Sequence, residues 1–312
     1  MDNRVFKLLV AYDGSECAEA ALCELKRCGL PASVEALVLS VADVLVPPGA
    51  EPADSRNPEW LVASLKKMSA QAQQAVEQAH ATAQRGAKIL QASFPDWKVQ
   101  AQAAADSPGW AIVKKAEEWN ADLVVVGSHS RSALGRLILG SVAQTVVSQA
   151  PCSVRVARGP RNPDSPVRLV AGEDGSPNAE ATLRALAARV WPAGSTLLLV
   201  TAIDHLMATA LNSLDSRGHR WITQDDTDEH QWIHTMNQAS FDQLRKAGLT
   251  VSPLVREGDP RRILVEEAER SEADCIFVGA RGLRSIDRFL LGSVSATVAA
   301  RAHCSVEVYR AR

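Results

Sequence analysis

At 312 residues the chain is long enough for two domains, each able to bury its own core. Its composition, 46% hydrophobic and 22% charged, is that of a soluble globular protein. A formal net charge of −2, with the basic residues dispersed, argues against a nucleic-acid partner.

The chain opens on "VFKLLVA", an apolar run too short for a signal peptide or a membrane span and followed at once by Asp13, so a cytoplasmic protein with no membrane partner is expected. A helix is expected from about Ser15 to Cys28, stopped by Gly29 and Pro31. Next come "VEALVLSVA", a long amphipathic stretch from about Glu59 to Ala92, "KVQAQAA", and a helix from about Pro108 to Trp119. "DLVVVG", a loop, a helix from Ser141 to Gln149 and "SVRVA" close the first half. Continuous Val, Leu and Ile runs suit strands buried on both faces of a parallel sheet, and the strict alternation with helices predicts an open doubly wound α/β domain.

The order then repeats. "LGSVAQTVVSQAPCSVRV", Leu139 to Val156, matches "LGSVSATVAARAHCSVEV", Leu291 to Val308, at 11 of 18 positions without a gap. "WNADLVVVGS" parallels "SEADCIFVGA", and "LLVAYDGSE" parallels "LVAGEDGSP". Proline and polar residues at 158–166 mark a linker, so the domains are expected at 1–157 and 167–312.

In such a sheet, ligands lie beyond the carboxyl ends of the strands where strand order reverses. There the second half carries "GARGLRSIDRFLLGS", Gly279 to Ser293, and the first carries "GSHSRSALGRLILGS", Gly127 to Ser141, with Ser130 where the later copy has Gly282. Gly279 is expected to turn the chain tightly and Gly282 to let the backbone approach a ligand. Gly292-Ser293 opens a helix whose free N–H groups face the loop, and Ser293 can cap that helix or donate to a phosphate oxygen. Arg281 and Arg284 lie within reach of an anion. The same glycines also serve as ordinary loop punctuation, so the phosphate reading and the packing reading both stand.

These segments resemble the universal stress protein family in its tandem form, over nearly the whole chain. The resemblance implies an adenine nucleotide alpha hydrolase-like fold with two repeated open doubly wound parallel-sheet domains. It also implies that the two domains pair through their final strands, "CSVRVA" and "CSVEVY", as an intramolecular pseudo-dimer, with a further homodimer open. The implied ligand is ATP or a related adenine nucleotide, with Mg²⁺ as its accompanying cation. Carried over residue by residue, Asp13 and Asp174 would face the adenine, with Val41 and its smaller counterpart Ala202 beside the base. Gly127 and Gly279 would approach the ribose. Gly282, Gly292, Ser293 and Val294 would hold the phosphates, and in the first half Ser130, Gly140, Ser141 and Val142 would stand in their places. The family's glycine pattern is complete in the second half and broken at Ser130 in the first, which favours the second-half site.

Enzyme signals are weak. There is no GxxxxGK[ST] stretch and no GxSxG elbow, and His129 beside Ser128 orients nothing by itself. "HQWIH", His230 to His234, has metal-ligand spacing, but Gln231 stands where a zincin has glutamate and no third ligand is identifiable. The acidic run "DDTDEH" reads as an exposed helix start. Slow ATP hydrolysis is compatible with the pattern, but no nucleophile is assembled with a base. Cys17, Cys23 and Cys28 share one helical pattern in which buried, unreactive thiols are expected. Two other readings stay open: an interaction module with structural glycines, and a site for another small ligand under "VPPGAEPADSRNPEW" and "LNSLDSRGHRWITQDD", covered by Trp60 and Trp221.

Overall fold

The computed structural model describes residues 4–44, 59–128, 139–159, 165–203, 241–282 and 291–311. Ser130, His129, Arg284, Trp221, the "HQWIH" segment and the acidic run before it lie outside the described residues, as do both segments suggested to cover a further ligand, apart from the backbone of Glu59 and Trp60.

The first half contains β1 (Phe6–Ala11), α1 (Glu16–Glu24), β2 (Val34–Ala42), α2 (Glu59–Ser93), β3 (Lys98–Ala105), α3 (Pro108–Glu118), β4 (Leu123–Gly127), α4 (Ser141–Gln149) and β5 (Ser153–Ala157). The second contains β6 (Arg168–Gly172), α5 (Pro177–Ala187), β7 (Thr196–Ile203), β8 (Thr250–Glu257), α6 (Pro260–Arg270), β9 (Cys275–Gly279), α7 (Ser293–Arg301) and β10 (Ser305–Tyr309). The first helix is shorter than the sequence suggests, because its last turn tightens into a 3-10 turn at Leu25–Arg27. Its three cysteines also differ: Cys28 is buried, Cys17 half-buried and Cys23 exposed. Burial pushes the Cys28 thiol up to about 12, which keeps it protonated and unreactive at neutral pH.

One ten-stranded sheet runs through both halves in the order β3-β2-β1-β4-β5-β10-β9-β6-β7-β8. Every neighbouring pair is parallel except β5 and β10, which are antiparallel, with Glu307 opposite Arg155. Each half is therefore a five-stranded doubly wound unit whose order reverses between its first and fourth strands. The final strands meet edge to edge, which removes two exposed edges.

Burial follows from the period of two along each strand. Val154, Val156, Val306 and Val308 point to one face, where α3, α4, α6 and α7 join a core that is continuous across the junction. The opposite face holds two separate cores, one under α1 and α2 and one under α5. Where those two cores approach each other, β5 and β10 present Arg155 and Glu307 instead of apolar side chains.

Reciprocal contacts repeat the symmetry. Arg158, just past β5, donates to the carbonyls of Ala299 and Cys304, at the end of α7 and beyond it. Arg310, just past β10, donates to the carbonyls of Val147 and Ser148 at the end of α4. Each arginine thus supplies a cation to carbonyls that end a helix of the other half. Inside each unit, Asp122 accepts from the N–H of Lys7 at 2.8 Å and Asp274 from the N–H of Arg168 at 2.9 Å, tying the fourth strand of each half to its first.

Candidate functional site

The register places the site. Pairing of β6 with β7 sets Gly172 beside Val200, so two residues on, Asp174 lies level with Ala202. Pairing of β1 with β2 sets Ala11 beside Leu39 and brings Asp13 level with Val41. Gly279 and Gly127 end β9 and β4, across the point where strand order reverses. Val41, Ala202, Val142 and Val294 are all partly buried and pack against the shared core.

The Asp-Gly-Ser turn after the first strand has a local cause. Asp174 accepts from the Ser176 N–H at 3.0 Å, while Gly175 takes φ +74°, the left-handed region that suits glycine. Ser176 then caps α5 by accepting from the Ala179 N–H at 3.2 Å. Asp13, Gly14 and Ser15 repeat the arrangement at the start of α1, with 2.9 Å and 3.2 Å for the same two bonds and the same φ.

The glycine loop behaves differently from its expected tight turn. Neither Gly279, Gly282 nor Gly292 adopts a positive φ; close approach of backbone calls for glycine at Gly279 and Gly292, while Gly282 meets only the carboxylate tip of Asp174. A Cβ on Gly279 would stand 3.0 Å from Cβ of Asn178 and 3.1 Å from its carbonyl carbon, so glycine lets α5 press against the end of β9. Gly127 does the same for α1, where a Cβ would lie 3.3 Å from Cys17. A Cβ on Gly282 would overlap Oδ2 of Asp174, which shows that the loop returns to the Asp-Gly-Ser turn. Gly292 donates its N–H to the carbonyl of Ala280 at 2.8 Å and closes the neck of the loop; Gly140 closes the first loop on Ser128 at 2.9 Å.

Helix α7 starts with Gly292 as its N-cap, so the expected capping role of Ser293 is corrected: Ser293 is the first helical residue. Among the described residues no side chain caps this end, since the N-cap is glycine, and the same holds for α4 behind Gly140. The hydroxyl of Ser295 turns away and donates to the Gly279 carbonyl at 2.6 Å. An uncapped N-terminus leaves its first N–H groups without helical acceptors, and this is a ready anion site. Gly282 lies against Asp174, and the neck that Gly292 closes on Ala280 stands two residues before it. Ser141 is likewise the first residue of α4, next to Val142.

One residue beside the Asp-Gly-Ser turn escaped the sequence reading. Glu173 occupies the place of Tyr12 and is 6% exposed. Its Oε1 accepts from the Gly175 N–H at 2.6 Å, whereas Oε2 is buried with no hydrogen-bond partner among the described residues. Burial pushes its carboxyl up to about 7, with Asp174 adding to the shift and the Gly175 N–H opposing it. Tyr12, by contrast, stacks under the α2 residue Arg85 and receives a hydrogen bond from it at 3.3 Å. The signal available was a single acid between an apolar strand and "DGS".

Among the described residues no helix is long and apolar enough to cross a membrane, and no group of three or more His, Cys, Asp or Glu is arranged to hold a metal ion.

Comparison with known proteins agrees with this architecture. The family model described as the universal stress protein family matches residues 5–158 and, a second time, 168–310. The chain is 31% identical to a universal stress protein of Mycolicibacterium smegmatis over 196 residues, 62% of this chain and 63% of that protein. It is 30% identical to one from Mycobacterium tuberculosis over 195 residues, 61% of this chain and 62% of that protein. The matches thus span less than two thirds of these curated relatives. A solved universal stress protein from Archaeoglobus fulgidus shares the fold at a TM-score of 0.57 and 21% identity, covering 97% of this chain and 96% of that one.

Proposed function

Since the chain belongs to the universal stress protein family and carries two of its units in tandem, we propose that it is a cytoplasmic regulatory protein that binds ATP or a related adenine nucleotide in its second unit. The units are assigned to 1–157 and 167–312, with 158–166 as the linker. The observation that carries this reading is the uncapped N-terminus of α7 behind Gly292, set beside Gly282 and Asp174. Ser293 and Val294 would hold the phosphates with backbone N–H groups, helped by the positive end of the helix dipole, and Gly292, whose own N–H closes the neck on Ala280, would let the phosphates approach without a Cβ in the way. Asp174 and Ala202 would meet the base, and Gly279 the ribose. Mg²⁺ would come in with the phosphates, since no ready-made metal cage exists among the described residues. Asp13, Val41, Gly127, Gly140, Ser141 and Val142 form the corresponding first-unit mouth, whose loop carries Ser130 in place of glycine.

Occupancy, not turnover, is the output in this account, because the described mouth assembles no nucleophile with a base. A Cβ on Gly292 would come to 3.2 Å from the Ala280 carbonyl oxygen, so Gly292→Val should distort the neck and the N–H groups behind it. Equilibrium dialysis with Mg-ATP should show at least a tenfold loss of affinity in a variant that keeps its melting temperature within a few degrees. Unchanged affinity would remove the assignment.

A second reading is favoured by a specific observation. Gly279 has a packing reason of its own, against Asn178, which a pure interaction module would also need. Such a module would bind no nucleotide in either unit.

A further inference from the structure

Four charged side chains form an alternating row where the two units meet. Nε of Arg155 donates to Oε1 of Glu24 at 2.9 Å, and its Nη1 donates to Oε2 of Glu307 at 3.1 Å. Arg189 completes the row by donating to both carboxylate oxygens of Glu307. Glu24 is secured further by the Ser305 hydroxyl at 2.6 Å and the Gly159 N–H at 3.1 Å, both from across or beyond its own unit's last strand. The row is dry: Glu24 and Arg155 are 3% exposed and Glu307 is fully buried.

The two central residues are equivalent by sequence. Arg155 in "CSVRV" and Glu307 in "CSVEV" hold the same place in the repeat, and they stand directly opposite in the antiparallel pairing. The axis relating the units therefore passes between them. Around it, the clamps formed by Arg158 and Arg310 and the bonds of Ser153 and Ser305 to the backbone N–H groups of Arg310 and Arg158 are the same on both sides. The ionic row breaks the symmetry, and so does Arg27, which donates across the junction to Asp274 at 3.0 Å where the second unit has Ala188 in the matching place. In the first unit the helix end carries the acid and the strand the base; in the second the helix end carries the base and the strand the acid.

We infer that this row selects the partner of each edge strand, so that the first unit pairs with the second and rejects a copy of itself. Two first units would set Arg155 against Arg155 at the buried centre, and two second units would set Glu307 against Glu307. Like charges directly opposite across strands are unfavourable, and more so away from water. The arginine clamps and the serine bonds accept either pairing, since they are symmetric. The edge of the first unit thus fits a strand with a central acid flanked by a helix-borne arginine. The occupant is the chain's own second unit, and the junction is closed to a second copy of the first.

The test uses full-length variants. E24R/R155E gives both units an acidic strand, and R189E/E307R gives both a basic one. Each alone should melt several degrees below the wild type and expand in small-angle scattering, while a 1:1 mixture should assemble into a heterotypic dimer by native mass spectrometry. The fourfold variant E24R/R155E/R189E/E307R restores alternation in inverted order and should return to a compact monomer with a melting temperature above either double variant. This holds even where a double variant fails to fold. A fourfold variant no more stable than the doubles, doubles that keep the wild-type melting point and compactness, or a mixture that stays as two separate monomers would each overturn the inference.

Discussion

Glu173 shows how much one position can differ between two copies of one unit. In the first unit Tyr12 fills the space and its hydroxyl is within reach of Glu19 and Arg85. In the second, a carboxyl sits there with one oxygen unpartnered among the described residues and is pushed up to about 7 by burial. An acid whose folded pKa lies above its unfolded value stabilises the fold only while protonated. Its contribution is complete below about pH 4.5 and is lost as pH rises through about 7. Glu173→Gln keeps the shape and hydrogen-bond acceptor but cannot ionise. Differential scanning calorimetry from pH 5 to 8 should therefore show the wild type losing melting temperature relative to the variant as pH rises. Parallel profiles would mean that Glu173 does not titrate in this window. The sequence does not announce this behaviour, because burial of one glutamate next to a polar turn depends on what packs over it.

At the scale of elements, most of the fold is legible before any coordinates. Runs such as "LVVVG" and "CIFVG" become strands buried along nearly their whole length, since helices cover both faces. The helix starting at Ser141 is found where the pattern places it, because apolar residues recur on one face and Gly140 ends the preceding loop. The Asp-Gly-Ser turns are legible for the same reason: each residue has one task that few others perform. Their energetics can be separated. Gly175 has open space around a built Cβ, so Gly175→Ala carries only the strain of a left-handed backbone, about 1 kcal/mol. Ser176→Ala removes the cap of α5 and should cost about 1 kcal/mol. Urea denaturation of both variants should show midpoint shifts of similar size with unchanged slope; no loss in either would remove the local account of the turn. What sequence alone misassigned was the reason for the loop glycines. Tight turning was expected of Gly279, yet contact with Asn178 is what requires it, a relation between β9 and α5 that no local pattern reveals.

For the whole molecule, duplication supplies symmetry and substitution then breaks it in two places. The sheet, the Asp122 and Asp274 ties and the Arg158 and Arg310 clamps are alike in both units. The ionic row at the junction differs between them, and so does the mouth at the strand ends. The junction could be anticipated as strand pairing, but the burial of Glu24, Arg155 and Glu307 could not, because charged residues are rarely buried without partners and those partners lie 131 and 152 positions away in sequence. The strand ends differ in sequence at Val41 and Ala202 and at Ser130 and Gly282, and the turns beside them at Tyr12 and Glu173. These differences favour the proposal of a single nucleotide site, placed in the second unit. Calorimetric titration of the nucleotide-stripped full-length protein with Mg-ATP tests it most directly. The account predicts one site per chain, lost in Gly292→Val; no binding heat at several temperatures, or two equivalent sites per chain, would contradict it.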